Sequence, residues 1–157
     1  MKARVYIETS IVSYLAARAS RDVVTLANQQ ITIEWWQSTA PGYEMVISEF
    51  VVNEAGLGDP EAAARRLDFL RGMPRLATTA EVERLALLLC VRGALPPSAR
   101  TDSFHIASAA VHGVEYLLTW NCTHIANGVK LPHIESLCRE AGYSAPRICT
   151  PPQLMQE

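Results

Sequence analysis

The stretch from Ala99 to Gly128, ARTDSFHIASAAVHGVEYLLTWNCTHIANG, limits what this chain can fold into more than any other part of it. A helix is expected to start near Thr101, an acceptable N-cap, with Asp102 in the first turn, where a carboxylate suits the positive end of the helix dipole. Ile106, Ala109, Ala110 and Val111 form an apolar face, and the small residues among them let the helix lie close to a sheet. Gly113 is a natural residue to end it. Val114 to Thr119 is a compact apolar run of the kind that forms a parallel strand buried on both faces. The polar group Trp120-Asn121-Cys122-Thr123-His124 follows, at the strand end where open α/β sheets bind ligands. An acid opening the helix and a polar cluster closing the strand then face the same edge of a sheet.

The rest of the chain alternates in the same way. Arg4 to Ile7 reads as a strand ending in Glu8-Thr9-Ser10, followed by Ile11, Val12, Tyr14 and Leu15 at helical spacing. Ser20 or Asp22 can cap a second helix, apolar over much of its surface, that carries Val23, Val24, Leu26, Ile31, Trp35 and Trp36 and ends at Pro41-Gly42. Glu44 to Ile47 is a second strand, and Ser48 caps a helix containing Phe50, Val51 and Glu54. Asp59-Pro60 opens another helix with proline at its first position. A short strand at Arg75 to Ala77, a helix from Thr79 to about Val91, a helix over Leu131 to Glu140 and a last strand at Arg147 to Cys149 complete the pattern. Alternating strands and helices predict an α/β protein: one α/β/α domain over residues 1–157, with a central, mainly parallel sheet of four to five strands and helices on both faces.

Composition matters chiefly for what it excludes. A formal charge of −2 is wrong for a DNA-coating protein, so any nucleic-acid contact must come from a local patch. Cys90, Cys122, Cys138 and Cys149 are widely spaced and contain no C-x₂-C pair, which suits buried reduced thiols better than zinc or a disulfide scaffold. No apolar run approaches the roughly 20 residues of a membrane span, and the first residues lead straight into a strand with no room for a signal peptide. A soluble, cytoplasmic protein without a membrane partner is expected.

Three carboxylates occupy comparable places: Glu8 ends the first strand, Glu54 lies two turns into the helix after the second, and Asp102 opens the helix before the fourth. Grouped at one sheet edge they repel one another, unless they are protonated or hold a cation. An oxygen-only set suits Mg²⁺ or Mn²⁺ better than zinc. A hard cation held by carboxylates and water is the apparatus of phosphoryl-transfer enzymes.

With these residues in place the chain resembles the PIN-domain family, which includes the VapC-like toxin ribonucleases of bacterial toxin–antitoxin pairs. VYIETSIVSYL is similar to the family's strand–D-T-S–helix opening, ISEFVVNEA to its S-x₅-E helix, TDSFHIASAAVHGVEYLLTWN to its D-x-x-H-x-A helix and strand, and ICTPPQL to its closing strand and tail. The ordered set spans nearly the whole chain. The resemblance implies a PIN fold, with Glu8, Glu54 and Asp102 at the metal-binding positions and Mg²⁺ or Mn²⁺ as cofactor. It further implies endoribonuclease action on an RNA substrate and a small antitoxin or a second copy in a homodimer as partner. The chain departs from the family pattern twice. Glu8 stands where the family has Asp, adding a methylene and a rotor to immobilise, and Asn121 stands where many members have a fourth acid. Slow or narrowly specific cleavage follows as an expectation. The rival reading is a PIN-like module that binds RNA or assembles without efficient catalysis.

Other residues have two readings each. Thr9 and Ser10, which follow the first acid, either hydrogen-bond the metal site or cap the helix, and Thr119 either orients an acid or satisfies local backbone groups. Arg100 either contacts an RNA phosphate as a bidentate donor or is a solvated surface residue. His105, one turn after Asp102, is read as a packed, hydrogen-bonded histidine before a base. Trp35 and Trp36 are adjacent and cannot both point fully inward on a regular helix, so one is an interface anchor or both lie at the edge of the core.

Overall fold

The computed structural model describes residues 1–155. Its sheet has five strands, β1 (Arg4–Ile7), β2 (Glu44–Ser48), β3 (Arg75–Leu76), β4 (Tyr116–Leu118) and β5 (Arg147–Cys149), in the order β3-β2-β1-β4-β5. All four pairings are parallel. The helices are α1 (Thr9–Ala16), α2 (Val23–Glu34), α3 (Glu49–Ala55), α4 (Pro60–Leu70), α5 (Ala80–Val91), α6 (Arg100–Val111) and α7 (Leu131–Glu140). From β1 the chain steps outward to β2 and β3, then returns across the sheet to β4 and β5. Right-handed crossovers therefore place the first four helices on one face and the last three on the other. In keeping with this, α1 packs on α2, α3 and α4, whereas α5 packs on α6 and α7. The direction reverses between β1 and β4, and the crevice outside their C-terminal ends is the place where such sheets bind ligands.

Local chemistry explains most of these elements. Ser48, Asp59 and Thr79 each cap the helix that follows them, and Pro60 occupies the first turn of α4. Val5, Tyr6 and Ile7 are wholly buried because β1 is central and covered on both faces. Gly113, at φ +65°, ends α6 as the sequence indicates.

Four expectations are corrected. Thr101 does not cap α6: a 3₁₀ turn at Pro97–Ala99 leads straight into the helix, and Ala99 stands at the cap with no side-chain bond. Nor has α6 a single apolar face, for every residue from Ser103 to Ala110 is buried, three polar ones included, because the helix lies against α5 and the sheet and meets α3. In α2, Val23 and Val24 are exposed while Gln29 and Thr32 are buried. Gln29 bonds the backbone of Arg18 and Ser20, and Thr32 takes the Trp120 indole N–H at 2.8 Å, so polar bonds set this helix's inner side. After α2 the chain makes a π-helical turn, Trp35–Thr39, that buries Trp35 completely and lays Trp36 edge-on against Phe69. Both tryptophans are committed to packing. Cys138 and Cys149 are buried, and burial pushes both thiols up to about 11, but Cys122 is exposed in the turn after β4, contrary to expectation.

This packing sets unequal costs for two aliphatic truncations. Leu117→Ala, in the middle of β4, is expected to lower the unfolding free energy in urea by about 2–5 kcal/mol. Val24→Ala on exposed α2 is expected to change it by less than about 0.5 kcal/mol.

Candidate active site

The sheet edge beside the β1–β4 crevice gathers side chains from four parts of the chain. Glu8 continues the ladder beyond β1, its N–H donating to Leu118 O at 3.1 Å, and its side chain turns back as the N-cap of α1. Its Oε1 accepts from Ser10 Oγ and from Thr119 Oγ1, both at 2.5 Å, and its Oε2 accepts from Ser10 N at 3.1 Å. Ser10 Oγ in turn accepts from Trp120 N, and Thr119 Oγ1 from Asn121 N. Ser10 and Thr119 thus hold Glu8 and tie the turn after β4 to the start of α1. The extra rotor of glutamate at this position is fixed by these bonds.

Glu54 projects from the last turn of α3 and meets Glu8 across the crevice. Its Oε1 accepts from Thr9 Oγ1 at 2.6 Å and lies 2.5 Å from His105 Nε2. His105, wholly buried on α6, presents its other nitrogen, Nδ1, to Tyr6 Oη at 2.7 Å. Ligand atoms of Glu8, Glu54 and His105 all lie within 4.8 Å of one another. Asp102, half-buried at the start of α6, stands outside that tight group, yet close enough for Glu8, Glu54 and His105 all to act on its charge.

The electrostatics follow from this geometry. Burial works to raise the Glu54 carboxyl, but the hydrogen bond and charge of His105, with help from Thr9, outweigh it and leave the pKa below its ordinary value. For His105, burial works to lower the imidazole, and the bond to Glu54 with the charges of Glu8, Glu54 and Asp102 carries it above 6.5. Asp102 is raised, first by burial and then by the charges of Glu8 and Glu54, against the opposing pull of His105 and Asn121. The cluster therefore sets among the carboxylates an imidazole whose charged form they favour.

Of the residues singled out in the sequence, Glu8, Ser10 and Thr119 are joined by direct hydrogen bonds, and Glu54 faces Glu8 with ligand atoms within 4.8 Å. Asn121 lies beside Asp102, and its Oδ1 accepts His124 N at 3.0 Å. Arg100 is exposed, with its guanidinium 5.7 Å over the Phe104 ring, and Phe104 in turn stacks on Phe50. Thr9, read with Ser10 as bonding the site or capping the helix, bonds Glu54. Sequence reasoning passed over Tyr6, which lies inside an apolar strand and carried no signal.

No protein-family model matches the sequence, and no curated protein matches it. Solved structures do. VapC20 of Mycobacterium tuberculosis, a toxin that cleaves the sarcin–ricin loop, superposes with a TM-score of 0.60 at 19% identity, covering 79% of this chain and 95% of that one. A chain of the VapBC2 complex of Rickettsia felis, bound to a DNA fragment from its promoter, superposes with a TM-score of 0.58 at 14% identity over 94% of this chain and 98% of that one. The fold, a five-stranded parallel sheet flanked by helices, is the one these two structures share.

Two measurements test the site's internal bonds. Thr119→Val keeps the side-chain shape but removes a donor to a buried carboxylate, and is expected to lower stability by about 1–3 kcal/mol in urea unfolding. The Glu54–His105 pair contributes fully between the ordinary values of 4.5 and 6.5; that contribution fades as Glu54 is protonated below 4.5 and as His105 loses its proton above 6.5. Asp102 acts in the opposite sense, its raised pKa making the fold lose stability as pH rises from 3.8 through its native value. In EDTA-treated protein, the ring proton resonances of His105 should titrate with a midpoint above 6.5. Glu54→Gln should bring that midpoint down, because burial then opposes the charge with less to offset it.

Proposed function

We propose that this chain, as a single domain over residues 1–157, is a divalent-metal-dependent endoribonuclease acting as the toxin of a toxin–antitoxin pair. The observation that carries the reading is the convergence of Glu8 and Glu54, with Asp102 close by, at the crevice of a VapC-like fold. One superposed protein is a toxin that cleaves the sarcin–ricin loop and the other is VapBC2 bound to promoter DNA, and with the family resemblance this supports an RNA substrate and a small antitoxin as partner.

The donor set fits a hard cation. Glu54 Oε1 is taken by Thr9 and His105, whereas Oε2 makes no hydrogen bond among the described residues, and the side chain is 33% exposed. Glu8 Oε2 takes a single bond, from Ser10 N, and keeps a lone pair. Both nitrogens of His105 are engaged, so the ring is not available as a ligand and the donors are oxygens. Glu8, Glu54 and Asp102 would hold Mg²⁺ or Mn²⁺. Such an ion, when bound, supplies Lewis-acid stabilisation of the charge on a phosphodiester and acidifies water.

The protein's own groups do the positioning. Ser10 and Thr119 fix Glu8, Thr9 and His105 fix Glu54, and Asn121 contributes an uncharged amide beside Asp102 where a further acid would add repulsion. Arg100, held over Phe104 near the start of α6, offers donors for an RNA phosphate. The reading includes a cytoplasmic location, in keeping with the finding that no helix among the described residues is long and apolar enough to cross a membrane. It also includes a homodimer. Trp35 and Trp36 are spent on packing, so its interface would draw on exposed apolar side chains such as Leu87 and Val91 of α5.

A mixed pool of structured and single-stranded RNAs, incubated with Mn²⁺, Mg²⁺ or EDTA, tests the activity. Cleavage is expected with metal and not with EDTA, and Asp102→Asn is expected to reduce kcat/KM by about 100-fold or more, the scale of a single electrostatic group in an active site. RNA that is bound but never cut would instead favour a binding module, for which the neutral Asn121 at a common acid position is the supporting observation. Glu8→Asp measured beside the wild type reports whether the longer side chain slows turnover; equal rates would reject that expectation.

A further inference from the structure

The bond from His105 to Glu54 is one link in a closed ring. Tyr6 Oη lies 2.7 Å from His105 Nδ1 and 2.7 Å from Ser48 Oγ, and Ser48 Oγ also accepts Phe50 N as the N-cap of α3. Glu54 stands in the last turn of the same helix. The ring therefore runs from the N-cap of α3 through β1 and α6 to the C-terminal turn of α3, and it grips that helix at both ends. A helix of seven residues cannot hold its own position, because so few turns do not repay nucleation. Tyr6, Ser48 and His105 are all buried, and the Tyr6 and His105 rings meet edge-on at 5.7 Å, so no water competes for these bonds.

We infer that Tyr6 and His105 are positioning residues for Glu54: together with Ser48 they clamp α3 so that Glu54 presents its unbonded Oε2 to the crevice. The inference rests on the reading of Glu54 as a cation ligand. His105 acts here as a donor at Nε2 that takes one carboxylate oxygen and leaves the other free; Tyr6 sets the plane of the ring that does so. Partners one bond removed from a metal ligand typically change metal affinity by about 10- to 100-fold when removed.

Isothermal titration of Mn²⁺ into EDTA-stripped, dialysed protein provides the test, with the Tm of each variant measured metal-free. Tyr6→Phe, which removes one oxygen atom, is expected to weaken Mn²⁺ binding roughly 10-fold or more. His105→Ala should weaken it further, and His105→Gln, which can return an amide donor to Glu54, should recover part of the loss. Affinity equal to wild type in Tyr6→Phe and His105→Ala, with only Tm lowered, assigns the ring to folding alone and overturns the proposal. Tighter Mn²⁺ binding in His105→Ala also overturns it, by showing that the imidazole acts only as a competing positive charge. A wild-type protein that binds no Mn²⁺ overturns the metal-site reading itself, and this inference with it.

Discussion

Carboxylates that share one crevice repel each other, and the arrangement of this protein answers that repulsion with a buried imidazole. His105 lies between Tyr6 and Glu54, its charge favoured by three acids and opposed by its burial. Protonation of the carboxylates and capture of a cation are two ways for such a cluster to persist; a buried imidazole whose charged form the acids favour is a third. The third has a structural cost, since the histidine must be placed on a helix buried all round. It is met by α6, which runs between α5 and the sheet and is supplied with serine and alanine where bulk would not fit.

The other acid is stabilised differently. Glu8 caps α1, and capping draws its carboxylate onto Ser10 and Thr119 while leaving part of Oε2 open. The group that starts a helix is thus also the group offered to the crevice. A capping role and a chemical role are ordinarily weighed as alternatives for an acid at a helix start. Here the bonds that satisfy the first would also fix the geometry that the proposed second role needs.

The order of strands and helices was legible because each boundary carried a local signal. Ser48, Asp59-Pro60 and Thr79 mark helix starts, Gly113 marks an end, and uninterrupted apolar runs mark buried parallel strands. Glu8, Glu54 and Asp102 could be singled out for the same reason, since each sits at a fixed place relative to a strand or helix end. The misreadings arose where tertiary packing overrides local pattern. Thr101 loses the cap of α6 to a preceding 3₁₀ turn, and α2 buries Gln29 and Thr32 because their partners come from Ser20 and Trp120. Tyr6 was invisible as a site partner because nothing near it in sequence distinguishes its hydroxyl from that of any tyrosine in a β-strand. Its role comes from His105, 99 residues away.

That long separation has a consequence for how the chain comes into being. Glu54 needs His105, 51 residues on, and Glu8 needs Thr119, 111 residues on. Closing such distances is slow compared with local structure, and domains are synthesised from the N-terminus. A chain still on the ribosome therefore exposes its first acid long before the residues that orient it have been made. The crevice exists only when synthesis has passed β4, so a nascent or truncated product carries the acids without the arrangement, and any activity arrives as a late, all-or-none property of the finished polypeptide.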